Sequence, residues 1–141
     1  MSKTQEFLDA WLAGQIRPAP VLDLVGIQPI EARDGLAVVA MDVTRRHHNA
    51  HGILHGGIYC DLADVALGLA VASTVGDDET FLSIDLHCTF LRAVKEGRLL
   101  ASARVVRRGR STAYVECEVR QGEDVVAKVV STCLIRPSVD E

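Results

Sequence analysis

The feature that most limits the fold of this sequence is an apolar segment, residues 58–75, that contains two acids, Asp61 and Asp64. A helix that is apolar on nearly every side has to be buried, and a buried carboxylate is costly unless another group compensates it. A histidine and two glycines, residues 55–57, come directly before the segment, and Gly76 is expected to cap its C-terminal end. The segment therefore predicts a central helix whose two acids need a separate explanation.

The N-terminal residues predict a short amphipathic helix. Ser2 and Gln5 have the spacing of a capping box, and Gly14 is expected to end the helix. Pro18 and Pro20 then indicate an extended connection.

Six further segments have the composition and periodicity of β-strands. The first two are expected to form a hairpin around the turn at residues 33–35. In residues 81–91, apolar and polar side chains alternate strictly, which predicts one continuous strand with one apolar face. The predicted strands are residues 25–32, 36–44, 81–91, 98–106, 111–120 and 124–135.

This order of elements predicts a single α+β domain over residues 1–141. One antiparallel sheet has to cover one apolar helix, and the helix is buried on all sides only if the sheet wraps around it and a second subunit covers the rest. The sequence therefore predicts a homodimer.

The composition excludes several classes of protein. The formal net charge is −4 and no long basic tract is present, which argues against general nucleic-acid binding. The N-terminus lacks the apolar stretch of a signal peptide, and the two acids argue against a membrane span at residues 58–75. The four isolated cysteines have no C-x-x-C spacing and suit a reducing cytoplasm. We therefore expect a cytoplasmic protein that does not bind membranes.

Residues 55–57 lie where a loop becomes a helix. The first turn of a helix has unpaired backbone N–H groups and the positive end of the helix dipole, and glycines let a ligand approach that backbone. Such donors can stabilise a carbonyl oxygen that gains negative charge, by about 3–4 kcal/mol. Equally, the glycines can serve only tight packing at the junction, and the sequence leaves both interpretations open.

Asp64 lies about two turns into the predicted helix, on the same side as its start. A partly desolvated carboxylate there would be a stronger base or nucleophile than one in water. The alternative is a structural hydrogen bond from Asp64 to a loop. Asp61 is closer to the helix start, where the dipole favours a negative charge, and we expect its role to be structural.

Other catalytic chemistries lack support in the sequence. Four histidines lie close together, but Gly52 and the following glycines argue against a helical His51-x3-His55 metal pair. There is no G-x-S-x-G elbow and no phosphate-binding P-loop. The sequence therefore predicts neither a metal nor a cofactor.

The motif Asn49-x5-His55-Gly56-Gly57-x6-Asp64, followed by a strand with Ser83-Ile84-Asp85-Leu86, resembles the hotdog-fold acyl-CoA thioesterases of the phenylacetic-acid-pathway (PaaI-like) branch. The resemblance runs from about Val21 to Ile135. It implies an antiparallel sheet wrapped around a long central helix, an acyl-CoA substrate that is hydrolysed to a free acid and coenzyme A, and a homodimer as the minimum active unit, with two dimers forming a homotetramer.

The resemblance also implies the catalytic roles. The aspartate at position 64 is the nucleophile or the general base that delivers water to the thioester carbonyl, and a backbone N–H of one of the two glycines polarises that carbonyl. The asparagine and the histidine lie beside the thioester, and the partner subunit supplies the serine that orients the water. The implied catalytic residues are Asn49, His55, Gly56, Gly57, Asp64 and Ser83.

The resemblance bears on two further points, the second acid and the coenzyme A end of the substrate. Asp61 stands where relatives usually carry a small or neutral residue, and it would raise the proton affinity of the pair of acids if both faced the cleft. Alternatively, Asp61 could discourage anionic acyl groups. Arginine side chains suit the phosphates of coenzyme A, although any single arginine can equally belong to a solvated charged turn, and Arg45, Arg46, Arg92 and Lys95 are other cations that could serve. The resemblance favours the turn at residues 107–111 for this contact. Its candidate residues are Arg107, Arg108, Arg110 and Ser111.

Two alternative functions share the fold. A hotdog hydratase pairs an aspartate with a histidine five positions later, but Ala50 stands where that aspartate would be. A non-catalytic domain that binds or senses acyl-CoA is the other alternative, since a fold does not fix a function.

Overall fold

A single antiparallel sheet wraps around one long helix in the structure, a computed structural model that describes residues 2–139. The strand order is β1-β2-β5-β6-β7-β3, and β4 also pairs with β7, on the same side as β3. This is the hotdog fold, which confirms the predicted fold class. The helices are α1 Lys3–Leu12, α2 Pro20–Val25 and α3 Gly56–Ala72. The strands are β1 Ile27–Arg33, β2 Leu36–Val43, β3 Glu79–Ser83, β4 His87–Phe90, β5 Gly97–Arg108, β6 Thr112–Gln121 and β7 Asp124–Pro137.

The central helix α3 is buried on one side only. Leu62, Ala66 and Ala70, which follow each other at four-residue spacing, are 0% exposed and lie in the hydrophobic core. Asp61 and Asp64 are exposed and lie on the opposite stripe, which the sheet does not cover. The acids of the apolar segment therefore avoid the core because the sheet of one chain covers only part of the helix. Within residues 2–139, no helix is long and apolar enough to cross a membrane.

The N-terminal segment follows the prediction in part. The Ser2 side chain accepts a hydrogen bond from the Gln5 backbone N–H at 3.1 Å and caps α1. This bond is one half of the predicted capping box. The other half, from the Ser2 backbone N–H to the Gln5 oxygen, is not formed, and the buried Gln5 amide nitrogen donates to Asp9 Oδ1 and to the carbonyl of Ala32. The predicted extended connection at the two prolines was wrong in its second half, since Pro20 is the first residue of α2 and leaves no backbone N–H unpaired there.

The predicted hairpin is confirmed, with β1 and β2 joined by the expected turn. Asp34 and Gly35 both have positive φ, 54° and 78°, as a two-residue turn of this kind requires. The predicted end of α3 at Gly76 was wrong. The helix ends at Ala72, and the Ser73 hydroxyl donates to the carbonyl of Ala70 and closes the last turn.

The predicted single strand over residues 81–91 is divided into β3 and β4. At the division, Asp85 Oδ1 accepts a hydrogen bond from the Thr132 backbone N–H at 2.7 Å, so a side chain takes the place of a backbone acceptor. The register along β7 shifts by one residue between β3 and β4. Consequently the inner face carries odd-numbered residues in β3 and even-numbered residues in β4, and the predicted apolar face was wrong at Leu82 and Ile84, which are exposed.

Candidate active site

His55 caps the N-terminus of α3. Its Nδ1 accepts a hydrogen bond from the Gly57 backbone N–H at 2.9 Å, which places the proton of a neutral imidazole on Nε2. The next N–H, of Ile58, bonds to the carbonyl of His55 at 3.0 Å. Among the described residues, the backbone N–H of Gly56 has no hydrogen-bond partner at this helix start. Gly56 therefore offers the N–H that is open to a ligand.

Both glycines also have a packing role. A Cβ atom at Gly56 would lie 3.1 Å from the Phe90 ring, and one at Gly57 would lie 3.1 Å from His55 Nδ1. Either contact is tighter than side chains normally adopt. The packing interpretation of the two glycines therefore has direct support, and at Gly56 it coexists with an open donor.

Asn49 organises the loop before α3. Its Oδ1 accepts hydrogen bonds from the backbone N–H groups of His51 and Ile53, and its carbonyl accepts one from Gly52, whose φ is 74°. These contacts use the oxygen of the side-chain amide. The amide nitrogen of Asn49 keeps its two N–H donors for other partners.

A cavity of about 360 Å³ lies beside the helix start. Asn49 and Gly56 line it, together with Tyr59, Phe90 and Arg92. The Tyr59 hydroxyl donates to the Arg92 carbonyl at 2.9 Å, and its ring meets that of Phe90 edge to face, with centroids 5.5 Å apart. Neither aromatic residue was assigned to a site from the sequence. Tyr59 belongs to the first turn of α3, whereas Phe90 reaches the helix start only through the contact between β4 and α3.

Asp64 and Asp61 occupy the uncovered stripe of α3. Desolvation by the surrounding protein raises the pKa of Asp64 above its ordinary value, and the negative charge of Asp61 raises it further. Desolvation also raises the pKa of Asp61, against the opposing effect of the nearby His55. This matches the coupling that the sequence predicts for two acids on one side of the helix.

A second and larger cavity, of about 460 Å³, begins at Asp64. It runs between α3 and α1 and is lined mostly by apolar side chains, among them Phe7 and Trp11. These two aromatic residues were not assigned to a site from the sequence. The only signal for the floor of the cavity is the four-residue spacing of Asp64, Gly68 and Ala72 along one side of α3.

One chain does not bring the predicted residues into one place. Asn49 and Gly56 line the cavity at the helix start, whereas Asp64 lines the cavity under α1. Ser83 lies at the edge of the sheet, where its hydroxyl is 3.7 Å from the sulfur of the buried Cys133, and it lines neither of these cavities.

The predicted coenzyme A contacts are also divided. Arg108 forms an ion pair with both carboxylate oxygens of Glu79, at 2.8 Å each, and donates to the carbonyl of Gly109. Arg110 and Ser111 line a cavity of about 440 Å³ together with Arg136, which was not predicted from the sequence. Arg107 lies at the end of β5 with an exposed side chain.

The clustered histidines bond to the backbone. His47 Nδ1 accepts from the N–H of Thr44, and its Nε2 lies 2.7 Å from the carbonyl of Val25. His48 Nε2 lies 2.6 Å from the carbonyl of Lys95. Within residues 2–139, no group of three or more histidine, cysteine or acidic side chains is arranged to hold a metal ion.

Comparison with known proteins places these features in a family. A sequence profile of the Thioesterase superfamily matches residues 51–128, which include the helix start and Asp64. A protein of Deinococcus radiodurans, named only as an esterase, is 39% identical over 103 residues, 72% of this chain and 68% of that protein. The 1,4-dihydroxy-2-naphthoyl-CoA hydrolase of Listeria monocytogenes is 27% identical over 113 residues, 80% of this chain and 91% of that enzyme.

A similar solved structure agrees with these matches. It is a mutant of the phenylacetic acid degradation protein PaaI from Thermus thermophilus, which is 29% identical and superposes with a TM-score of 0.78. The match covers 82% of this chain and 98% of that one.

Proposed function

The chain belongs to the thioesterase superfamily, and from this membership we propose that it hydrolyses acyl-CoA thioesters with Asp64 as the nucleophile or general base. The observation that carries the proposal is a carboxylate with a raised pKa on the one stripe of α3 that its own sheet leaves open. We treat residues 1–141 as one hotdog domain in this proposal.

The proposed reaction needs no metal or cofactor. In the general-base route, Asp64 takes a proton from water and the water oxygen bonds to the carbonyl carbon. The bond to sulfur then breaks, and the leaving coenzyme A thiolate takes the proton from Asp64, which restores the carboxylate. Thioesters have weak resonance stabilisation, so one positioned carboxylate and one or two donors suffice. A raised pKa makes Asp64 a better proton acceptor than an ordinary aspartate.

The developing negative charge on the carbonyl oxygen would be stabilised at the start of α3. The open N–H of Gly56 supports this residue, rather than Gly57, as the backbone donor. The Asn49 amide nitrogen and His55 Nε2 are further donors close to that helix start. A donor of this kind is worth about 3–4 kcal/mol of barrier.

We propose that each site is shared between two subunits. Gly56 and Asp64 are eight residues apart on one helix, about 12 Å along its axis. An attacking atom has to come within about 3.5 Å of the carbonyl carbon, and the donor within about 3 Å of its oxygen. A carboxylate two turns away on the same helix is too distant, whereas Asp64 on an antiparallel α3 of a second copy can approach Gly56.

The second copy would also cover the exposed edge of the sheet at β3. β3 is an edge strand, and the outer apolar side chains Leu82 and Ile84 are 54% and 60% exposed. In the dimer the Ser83 hydroxyl would help to orient the water in the partner's site, and two dimers would form a tetramer. Arg107, Arg110 and Ser111 are the proposed phosphate contacts, while Arg108 supports their turn through Glu79.

Purified protein incubated with a panel of acyl-CoAs and a thiol reagent tests the proposal. We expect thiol release by the wild type and a loss of at least about a hundredfold in kcat for Asp64→Asn, which keeps the size of the side chain. Glu31→Gln, which replaces an exposed carboxylate on β1 with a carboxamide, is the matched control and should keep full activity.

Equal turnover by the wild type and Asp64→Asn would contradict the role of Asp64. Tight acyl-CoA binding without thiol release over hours would instead support the non-catalytic binding domain.

A further inference from the structure

The cavity under α1 is continuous with the proposed reactive group. Asp64 is the most N-terminal of the α3 residues that line it, and Gly68 and Ala72 follow one and two turns later. The opposite wall comes from α1 and includes Phe7 and Trp11, whose rings meet edge to face with centroids 6.3 Å apart. Its volume of about 460 Å³ lies in the range typical of small-molecule sites.

We infer that this cavity takes the acyl chain of the substrate, and that the substrate class is an unbranched, uncharged aliphatic acyl-CoA. The inference rests on the proposed function, because it takes Asp64 as the group that meets the thioester. It adds the chemistry of the acyl group and the residues that limit its length.

The shape of the floor favours an extended chain over a single ring. From Asp64 to Ala72 the α3 stripe runs for eight residues, about 12 Å along the helix axis. Halfway along it, no heavy atom other than those of the adjacent residues and the local helix backbone lies within 4 Å of the position that a Cβ of Gly68 would take. An extended chain can therefore lie against the helix backbone at this point.

The lining favours an acyl group without charge. The carboxylate of Glu79 already bonds to Arg108 and to the N–H of Gly76, and the Thr4 hydroxyl contacts Asp77. A charged group buried here would lose water without gaining an ionic partner, and an acyl carboxylate would meet the charge of Asp64.

Gly68 is the residue through which the length of the acyl group can be tested. It is not in the positive-φ region, and the space around it is open, so a side chain there meets no backbone strain. A leucine would project into the cavity, and it also has a higher helix propensity than glycine, so the variant is expected to fold.

The experiment measures kcat/KM for straight-chain acyl-CoAs from acetyl to decanoyl, with benzoyl-CoA and succinyl-CoA as ring and charge comparisons. For the wild type we expect an increase of about fourfold for each methylene until the cavity is full. Gly68→Leu should lower the ratio of octanoyl to butyryl activity by at least about tenfold. Phe7→Ala should move the preferred length upward, and the exposed Glu6→Ala on the same helix should leave the profile unchanged.

Three results would overturn the inference. The first is an unchanged ratio of octanoyl to butyryl activity in Gly68→Leu, and the second is a wild-type preference for benzoyl-CoA or succinyl-CoA. The third is a change in the number of subunits of Gly68→Leu, measured by sedimentation, which would mean that a second copy fills the cavity. If the wild type hydrolyses no acyl-CoA, the proposed function fails. The Kd of each acyl-CoA, measured by calorimetry for the wild type and for Gly68→Leu, then tests this inference separately. The wild type should bind longer straight chains more tightly, and Gly68→Leu should lose this preference for octanoyl over butyryl.

Discussion

Two carboxylates one turn apart set the acid–base behaviour of the proposed site. Asp64 has a pKa that is raised first by desolvation and then by the charge of Asp61. A group with a raised pKa in the folded state binds more protons than it does in the unfolded chain. Its ionisation therefore lowers the stability as the pH rises from the ordinary value to the raised one. In return, the ionised Asp64 is a better base than a fully solvated aspartate.

At this scale we expect Asp61→Asn to move the acid limb of the kcat/KM profile to lower pH. The ionised form of Asp64 is the active one, and loss of the Asp61 charge lowers the pKa of Asp64 toward its ordinary value, while desolvation still holds it above that value. Initial rates measured across the acid pH range give the position of this limb. Glu31→Gln is the control and should leave that position unchanged. An acid limb that stays in place would mean that Asp64 is not the group that titrates.

At the scale of secondary structure, one serine joins the end of the central helix to the β1–β2 hairpin. Ser73 Oγ accepts the Gly35 backbone N–H at 2.8 Å and donates to the Ala70 carbonyl at 2.7 Å. Gly35 is buried at the hairpin turn, so its N–H has no access to bulk water. The hydroxyl therefore satisfies a donor that the helix and the hairpin would otherwise leave unpaired.

We expect Ser73→Ala to lower the free energy of unfolding by about 1–3 kcal/mol, because the Gly35 N–H is left buried without a partner. Denaturant unfolding at equilibrium measures the change. Ser102→Ala, on an exposed position of β5, is the control and should fall within about 0.5 kcal/mol of the wild type. An equal effect of the two substitutions would show that water reaches the hairpin turn.

The sequence predicts those elements whose signals are local. The apolar segment identifies α3, and Asp34-Gly35 identifies the hairpin, because helix burial and turn geometry depend on neighbouring residues. The division at Asp85 depends on a bond to Thr132, 47 residues away, so strict alternation could not reveal it.

The same distinction applies to the candidate site. Asp64 and Gly56 stand at a recognisable spacing on one helix, and the structure puts both at the surfaces of cavities. Phe7 and Gly68 line one cavity only because α1 lies across from α3 in the fold, and no spacing along the chain records that arrangement.

At the scale of the whole molecule, one chain presents two incomplete halves of the proposed site. The open N–H and Asn49 lie beside one cavity, and Asp64 lies beside the other. A two-fold axis would bring each half against the complementary half of a second copy, so that one dimer contains two equal sites.

Subunit mixing tests this arrangement. Asp64→Ala and Asn49→Ala are each expected to be inactive as homodimers, because every site lacks one group. Co-expressed subunits with different tags should form mixed dimers in which one of the two sites is intact, with roughly a quarter of the wild-type activity in a statistical mixture. Activity that stays at the level of the single variants would place all the groups of one site in one subunit.

The division at Asp85 has a consequence for how this stretch can change over time. On its N-terminal side the odd positions face inward, and on its C-terminal side the even positions do. An apolar substitution should therefore be tolerated at odd-numbered positions before residue 85 and at even-numbered positions after it. A mutation that joined β3 and β4 into one regular strand would turn the inward side chains of β4 outward and the outward ones inward. A single substitution at Asp85 could therefore have a large structural effect.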